Sequence, residues 1–466
     1  MLNDFFILMK MELLVTVIIF LLLLIKLGKG IRNDVLLPII QFGLLLNFLA
    51  GFFLNKEGVL FDGMFYTTPL AVVQKSILNL GVYLISLLFA DWFRRCENLA
   101  EFFVLMLSAL LGMFFMISSG NLLIFYLALE LSTIPIAAVV NFDLRMKKSS
   151  EASMKMILSS AFSSGILLFG ISLIYGITGS IQFAELSVIV TQSPLQILAF
   201  IFFFTAFAFK LSIVPFHLWT ADVYEGSPVA VTAFLSVISK GAVAFIFITV
   251  LYRVFHSMNN IWYHLLVILS VITMLIGNLF ALRQDNFKRF LAFSSIAQVG
   301  FILVGVSADS VAGQTSVVYF ILVYIFSNLG AFGVISAICA NTGKEKISEL
   351  KGLYKNNPFL TWVLALSLFS LAGIPPTAGF FGKLFLITAG ASRADYWFII
   401  VAALNMIISL YYYLIVIRTI FSKADDHSVE KIKLLPSVKL GLMICAAAVI
   451  LTGLMSWVYD YIAALK

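Results

Sequence analysis

Residues 371–386 read LAGIPPTAGFFGKLFL, an apolar stretch in which Pro375 and Pro376 precede Lys383. Proline removes a backbone donor and frees a carbonyl, so it breaks or kinks a helix. Inside a bilayer, such a break is tolerated only where the backbone faces protein or a water-filled cavity. The segment therefore predicts a broken helix with a lysine in its interior, provided that the chain spans a membrane.

The composition of the chain indicates that its solvent is lipid. Of the 466 residues, 62% are hydrophobic and 11% are charged, whereas soluble domains hold roughly 45–50% apolar and about 25% charged residues. So much apolar surface requires a bilayer. The three widely spaced cysteines, Cys96, Cys339 and Cys445, indicate buried small side chains rather than a disulfide framework or a metal site.

A second proline break lies in the first half of the chain. Residues 207–219 read FAFKLSIVPFHLW, with Lys210 five residues before Pro215 and His217 two residues after it. A broken helix beside a lysine, once in each half, is the pattern expected of transporter sites built from inverted repeats. His217 is either a structural histidine near a loop or a proton relay beside the break.

Fourteen stretches are long and apolar enough to span a bilayer, which takes about 20 helical residues. Residues 13–27 have no A-x-A-like cleavage site after them, so we interpret them as part of a retained first helix. The fourteen stretches lie near 11–28, 34–54, 70–91, 99–118, 121–140, 152–176, 194–214, 227–252, 261–282, 287–306, 313–340, 358–389, 397–421 and 437–461.

Basic residues alternate between the two sides of this predicted bundle. Cytoplasmic loops collect lysine and arginine. With the first loop assigned to the cytoplasm, that side holds Lys26, Lys29, Arg32, Arg94, Arg95, Arg145, Lys147, Lys148, Arg283, Lys288, Arg289, Lys344, Lys346, Lys351, Lys355, Arg418, Lys423, Lys431, Lys433 and Lys439. The opposite loops hold Lys56, Arg253 and Arg393. Both termini are therefore expected outside the cytoplasm, and the net charge of +7 is mainly a topology signal.

Four charged residues fall in the middle of predicted helices. Placing a charge at the bilayer centre costs between about 2.5 and 17 kcal/mol, depending on the method. A structural ion pair could account for one acid and one lysine, but it leaves two lysines without a carboxylate. An amine without a partner in a dry interior loses its proton more readily, and a nearby carboxylate restores the charged form, which makes a switchable proton site. The four residues are Glu130, Lys210, Lys240 and Lys383.

Two further lysines lie nearer the ends of predicted helices. Lys75 is about five residues into its helix on the outer side, and snorkelling to the interface is the favoured interpretation. Lys155 lies four residues after Glu151, and its position favours an i,i+4 ion pair at the cytoplasmic end of a helix.

Motifs that hold redox cofactors or metals are missing from the sequence. There is no G-x-G-x-x-G, Walker A, H-E-x-x-H or C-x-x-C pattern. Nucleotide, haem, flavin, zinc and iron–sulfur binding therefore lack support in this chain. If the protein belongs to a redox enzyme, the electrons travel through other subunits.

Six stretches resemble the antiporter-like subunits of respiratory complex I, and most of all the subunit N type. They read LALELSTIP, EASMKMILSSAFSSGILLFG, FKLSIVPFHLWTADVYEGSP, ISKGAVAF, RFLAFSSIAQVGFILVG and LAGIPPTAGFFGKLFL. The subunit M type usually has glutamate where Lys383 stands, and the subunit L type is much longer. Free-standing multisubunit cation/proton antiporters share the core and remain the alternative.

The resemblance implies an all-α polytopic membrane protein of about fourteen helices. Helices 4–8 and 9–13 would form two inverted five-helix repeats, each with a proline-broken helix, the seventh and the twelfth. The implied divisions are residues 1–98 for helices 1–3, 99–256 for the first repeat, 257–424 for the second repeat and 425–466 for helix 14.

The resemblance also assigns functional residues. By position, Glu130 matches the fifth-helix glutamate that pairs with the seventh-helix lysine, Lys210. Lys240 matches the central lysine of the eighth helix, and Lys383 the terminal lysine of the twelfth. Lys155 and His217 also fall on positions that the family treats as functional, and the three prolines mark the helix breaks. The implied proton-translocation set is Glu130, Lys155, Lys210, His217, Lys240 and Lys383.

The implied activity is that of a non-redox subunit of a proton translocase. Protons would move from the cytoplasm to the periplasm, driven by quinone reduction elsewhere in an NADH:quinone oxidoreductase. NADH, FMN, iron–sulfur clusters and quinone are expected in partner subunits, which include neighbouring antiporter-like and small membrane subunits. The expected location is the bacterial inner membrane, with many passes and both termini periplasmic. A complex I-like enzyme with another electron donor is a further alternative.

Overall fold

The structure is a computed structural model that describes residues 2–28, 31–53, 55–143, 146–423, 429–455 and 457–465. Two basic residues used in the prediction, Lys29 and Arg145, lie outside the described residues.

The described chain is almost entirely helical, and one small hairpin departs from the all-helical prediction. The two strands of that hairpin, β1 and β2, pair antiparallel between the second and third predicted helices. The elements are α1 Leu2–Leu8, α2 Lys10–Leu27, α3 Asn33–Ala50, β1 Gly58–Leu60, β2 Phe65–Thr67, α4 Pro69–Leu88, α5 Ala90–Arg95, α6 Leu99–Ile117, α7 Leu122–Val140, α8 Lys147–Thr178, α9 Phe183–Ile189, α10 Pro194–Leu211, α11 Leu218–Gly226, α12 Val229–Ala233, α13 Lys240–Arg253, α14 Asn259–Ala281, α15 Phe287–Ser307, α16 Val311–Thr342, α17 Leu353–Asn356, α18 Pro358–Ala372, α19 Ala378–Ala391, α20 Tyr396–Phe421, α21 Pro436–Leu454 and α22 Trp457–Ala464. A π turn, Phe234–Ser239, joins α12 to α13, and short 3₁₀ turns lie at His256–Met258 and Ile347–Leu350.

The predicted membrane-spanning architecture is confirmed. Within the described residues, twelve helices are long and apolar enough to cross a bilayer. The two other predicted spans are also helical. One is α2, which carries three charged residues, and the other is divided between the shorter helices α18 and α19, as the prolines predict.

Two helices are longer than a membrane span requires. Both α8 and α16 have 32 residues, which at about 1.5 Å per residue gives roughly 48 Å, more than the ~30 Å hydrocarbon core. Tilt or projecting ends accommodate such a length. Lys155 is the ninth residue of α8, so it lies nearer the start of this helix than its middle.

Helix packing follows the same order in the two predicted repeats. In the first, α6 packs on α7, and α8 packs on both halves of the broken helix, α10 and α11. In the second, α14 packs on α15, and α16 packs on both α18 and α19. The repeat boundaries and their inverted relation stay predictions.

The central helices are α13, α15 and α16, which are buried along almost their whole length, whereas no more than about a third of the residues in the apolar windows of α3, α20 and α21 are buried. Central position matters for function because a polar side chain on such a helix faces protein rather than lipid. The π turn immediately before Lys240 lies on this central path, and π turns are frequent at functional sites.

Candidate functional site

Both predicted helix breaks are present. The first interrupts the chain between α10 and α11, where Ser212 takes a left-handed conformation (φ 65°) ahead of Pro215. The second separates α18 from α19, where Gly373 is left-handed (φ 85°) ahead of the two prolines. A residue in the left-handed conformation lets the following backbone N–H groups bond to the last carbonyls of a helix, and it turns the chain away from the helix axis. Glycine adopts this conformation most easily because it has no Cβ.

The second break creates the binding site for the amine of Lys383. In an unbroken helix, the carbonyls of Leu371 and Ala372 would accept the N–H groups of residues 375 and 376, but both are prolines and have none. Lys383 Nζ donates to these same two carbonyls, at 2.7 and 3.3 Å. The prolines therefore supply the acceptors of a fully buried lysine, whose amine also lies 4.8 Å from the centre of the Phe301 ring.

Lys210 and Glu130 are brought to the same region but do not touch. Lys210 is buried and donates to the hydroxyl of Thr133, one turn beyond Glu130 on α7. Among the described residues, no ion pair within 4 Å joins the lysine to the glutamate, and Glu130 Oε1 is buried without a hydrogen-bond partner. The two charges remain close enough to interact electrostatically. The pair is therefore open, with a threonine hydroxyl holding the amine.

Lys240 begins α13 and is buried. Its amine donates to the Ser295 hydroxyl at 2.8 Å and lies 5.5 Å from the centre of the Tyr224 ring. The described residues include no carboxylate within ion-pair distance of it. Like the amines of Lys210 and Lys383, the amine of Lys240 is hydrogen-bonded to neutral groups alone.

Lys155 differs from the other lysines. Its side chain is 42% exposed and forms ion pairs of 2.7 Å with both Glu151 and Asp222. The predicted i,i+4 pair is confirmed, whereas Asp222 on α11 was missed because its sequence position does not reveal that α11 packs on α8. These residues line a cavity of about 160 Å³ together with Lys148, Glu225 and Arg289.

His217 lies at the start of α11 and is buried. Its Nδ1 has no hydrogen-bond partner among the described residues. The ring lies near enough to Lys240 for their charges to interact. This position, between the first break and the central lysine, is compatible with a relay, and its role stays a prediction.

The prediction for Lys75 is wrong. Instead of reaching the interface, its amine is fully buried and forms a 2.5 Å ion pair with Glu12 of α2. The second carboxylate oxygen of Glu12 has no hydrogen-bond partner among the described residues. The partner lies 63 residues earlier, and only the packing of the first and third spans brings it to the lysine.

Sequence reasoning also missed the polar side chains between Lys240 and Lys383. Ser295 and Gln298 lie three residues apart on α15, inside the run FSSIAQ, which was a visible signal in an otherwise apolar helix. Gln298 Nε2 donates at 3.0 Å to the Leu371 carbonyl, the same oxygen that Lys383 uses. Lys240 therefore contacts α15 directly through Ser295, and Lys383 shares a carbonyl with Gln298 of the same helix.

No group of three or more histidine, cysteine, aspartate or glutamate residues is arranged to hold a metal ion in the part of the chain that the structure describes.

Comparison with known proteins identifies the family. The family described as NADH:quinone oxidoreductase/Mrp antiporter, TM, matches residues 119–409. NADH-quinone oxidoreductase subunit N of Phocaeicola vulgatus is 47% identical over 412 residues, which cover 88% of this chain and 87% of the relative. The match to the family, over residues 119–409, includes more than half of the chain and the segments that carry both breaks.

Solved structures show the same architecture. A chain of respiratory complex I from Thermus thermophilus with bound aureothin aligns with a TM-score of 0.83 at 25% identity, over 98% of this chain and all of that chain. A chain of the Mrp complex from Dietzia sp. aligns with a TM-score of 0.89 at 20% identity, over 98% and 96% of the two chains, and this second likeness concerns the fold alone. The chain therefore belongs to the NADH:quinone oxidoreductase/Mrp antiporter family, within the branch of the NADH-quinone oxidoreductase subunit N proteins.

Proposed function

We propose that protons cross this subunit along four residues, the half-buried Glu130 and the buried Lys210, Lys240 and Lys383. The observation that carries the proposal is shared by the three lysines. Each amine is buried and donates only to neutral oxygens, and none has a carboxylate within 4 Å among the described residues.

Neutral acceptors leave the protonated state of a buried amine poorly compensated. A carboxylate would stabilise the charge, whereas a hydroxyl or a carbonyl contributes only a hydrogen bond. The protonated and neutral forms are then closer in free energy, so that a proton can be taken up and released. Permanent ion pairs, which a structural scaffold would use, would have the opposite effect.

The proposed cycle starts at the cytoplasmic side. Water brings a proton to Lys240, with His217 as a relay and the charged cluster around Lys155 at the entrance. Movement of Glu130 toward or away from Lys210 changes how firmly that lysine holds its proton and drives transfer along the mid-membrane axis. Lys383 releases a proton toward the outer face, and quinone reduction in other subunits supplies the energy.

The proposal includes an orientation and a set of partners. The alternation of basic loops supports both termini on the periplasmic side of a bacterial inner membrane. NADH, FMN, iron–sulfur clusters and quinone would be bound by partner subunits. Neighbouring antiporter-like and small membrane subunits would flank this chain, and residues 99–256 and 257–424 would form the two inverted repeats.

The test replaces the lysines in the assembled complex. Lys210→Ala and Lys383→Ala should each abolish or strongly reduce proton pumping in membrane vesicles, followed with a pH-sensitive dye beside the rate of quinone reduction. Lys439→Ala, at an exposed lysine near the start of α21, is the matched control and should pump normally. Normal pumping by either buried-lysine variant would contradict the roles assigned here.

Two other functions make different predictions. A passive scaffold with structural charges predicts that Glu130→Gln combined with Lys210→Met leaves pumping intact. An independent cation/proton exchanger predicts exchange activity from the purified chain alone in lipid vesicles, whereas a complex I subunit should be inert without its partners.

A further inference from the structure

A cavity of about 270 Å³ opens between α14, α15 and α20, on the face that carries the loops rich in lysine and arginine. We call this side the basic-loop face, and it is the predicted cytoplasmic side. The cavity belongs to the second predicted repeat and is separate from the charged cluster around Lys155. Its lining includes Gln284, Asp285, Ser348, Phe290, Tyr412 and Thr419.

The mouth of the cavity is polar. Asp285 is exposed there, and its two carboxylate oxygens accept the backbone N–H and the hydroxyl of Ser348, at 3.1 and 3.0 Å. An exposed carboxylate and a hydroxyl make this end of the cavity polar, which suits water at the basic-loop face.

A buried tyrosine lines the cavity, and a second buried tyrosine lies behind it. Tyr412 lines it and Tyr413 lies behind, with ring centroids 4.5 Å apart and exposed fractions of 2% and 0%. Phe290 packs edge-on against both rings, at 5.5 and 5.8 Å. The Tyr412 hydroxyl donates to Asn278 Oδ1 at 3.1 Å. Buried tyrosine hydroxyls need such partners, so their orientation is set by the packing.

The second tyrosine leads to Lys383. Its hydroxyl accepts from Gln298 Nε2 at 3.4 Å, and the same amide nitrogen donates to the Leu371 carbonyl at 3.0 Å. Lys383 donates to that carbonyl at 2.7 Å. Gln298 Oε1 is buried and has no hydrogen-bond partner among the described residues, so this side chain keeps an unused acceptor next to the chain of contacts.

We propose that this cavity is a second proton inlet, which loads Lys383 directly from the basic-loop face past Tyr412, Tyr413 and Gln298, on the basis of the proton-carrying role proposed above for Lys383. In this step a hydronium ion in the cavity gives a proton to the Tyr413 oxygen, while the hydroxyl releases its own proton to a water molecule on the Lys383 side. That water passes a proton to the neutral amine of Lys383, and the hydroxyl rotates back to its starting state. Gln298 carries no proton, and its amide nitrogen positions the hydroxyl by donating to Tyr413 and to the Leu371 carbonyl.

A single inlet through Lys240 makes the opposite prediction, because the two tyrosines then lie beside the route and not on it. Tyr413→Phe removes only the hydroxyl oxygen. Tyr411→Phe is a matched control on the same helix, since Tyr411 is 62% exposed on the outer surface of the bundle. Thr419→Trp tests the same inlet differently, by filling the mouth of the cavity with a large side chain.

The experiment measures proton pumping and quinone reduction in membrane vesicles, normalised to the amount of assembled complex. We expect Tyr413→Phe and Thr419→Trp each to lower pumping at least threefold, with Tyr411→Phe at the wild-type level. If both variants pump like Tyr411→Phe while Lys383→Ala abolishes pumping, the second inlet is refuted and the proposed function stands. If Lys383→Ala itself pumps normally, the proposed function fails first.

Discussion

The amine of Lys210 is hydrogen-bonded to Thr133 and not paired with Glu130, which leads to a quantitative prediction. Thr133→Val keeps the shape of the side chain and removes the hydroxyl that accepts from Lys210. A hydrogen bond to a charged group contributes about 1.5–3 kcal/mol. Its loss should shift the balance between the open and the closed Glu130–Lys210 pair toward closed by a factor of roughly 10 to 150.

A pair that stays closed cannot cycle, so Thr133→Val should slow proton pumping by at least tenfold. The assay follows proton pumping in vesicles with a pH-sensitive dye and measures the rate of quinone reduction in the same vesicles. The amount of assembled complex in the membrane is measured as a check on assembly. Thr133→Ser retains the hydroxyl and should pump within about twofold of the wild type. The reasoning would be refuted if Thr133→Val pumped normally, or if Thr133→Ser were as slow as Thr133→Val.

Two more predictions concern the ion pairs. Glu12→Gln leaves Lys75 buried without its carboxylate and should destabilise the solubilised complex by about 3–5 kcal/mol. The double variant Glu12→Leu with Lys75→Met should recover most of that loss. Thermal denaturation in detergent measures the stability of both variants, and equal stability of all variants would contradict a shared buried pair. Lys155→Ala breaks partly exposed ion pairs of the kind that contribute about 0–1 kcal/mol, so pumping should fall less than fivefold, against near-complete loss for Lys383→Ala. A loss as large as that of Lys383→Ala would mean that Lys155 carries protons itself rather than shaping the entrance.

The break between α18 and α19 shows how local sequence builds a functional contact. Because Pro375 and Pro376 lack N–H groups, they leave free the two carbonyls that Lys383 binds. This relation depends only on residues within thirteen positions of each other, from Leu371 to Lys383. The helix break and the buried lysine could therefore be predicted together, although the hydrogen bonds from Lys383 to the two carbonyls could not.

The sequence by itself determined which segments are helices in the membrane and where two of them break. Length, apolarity and proline act within a single segment, because a backbone in lipid must satisfy its hydrogen bonds locally. The burial of Lys210, Lys240 and Lys383 was also predictable, since a lysine in the middle of an apolar span has no route to the interface.

Only the tertiary structure decided which side chains the membrane lysines contact. Lys75 was expected at the interface and instead pairs with Glu12, and Lys155 gains Asp222 beside the predicted Glu151. Lys210 meets Thr133 although Glu130 lies one turn away. Each new partner is more than 60 positions from its lysine in sequence, on a helix whose rotation and depth depend on packing against several neighbours. Spacing along one helix carries no information about that packing, so these contacts became visible only when the helices were assembled.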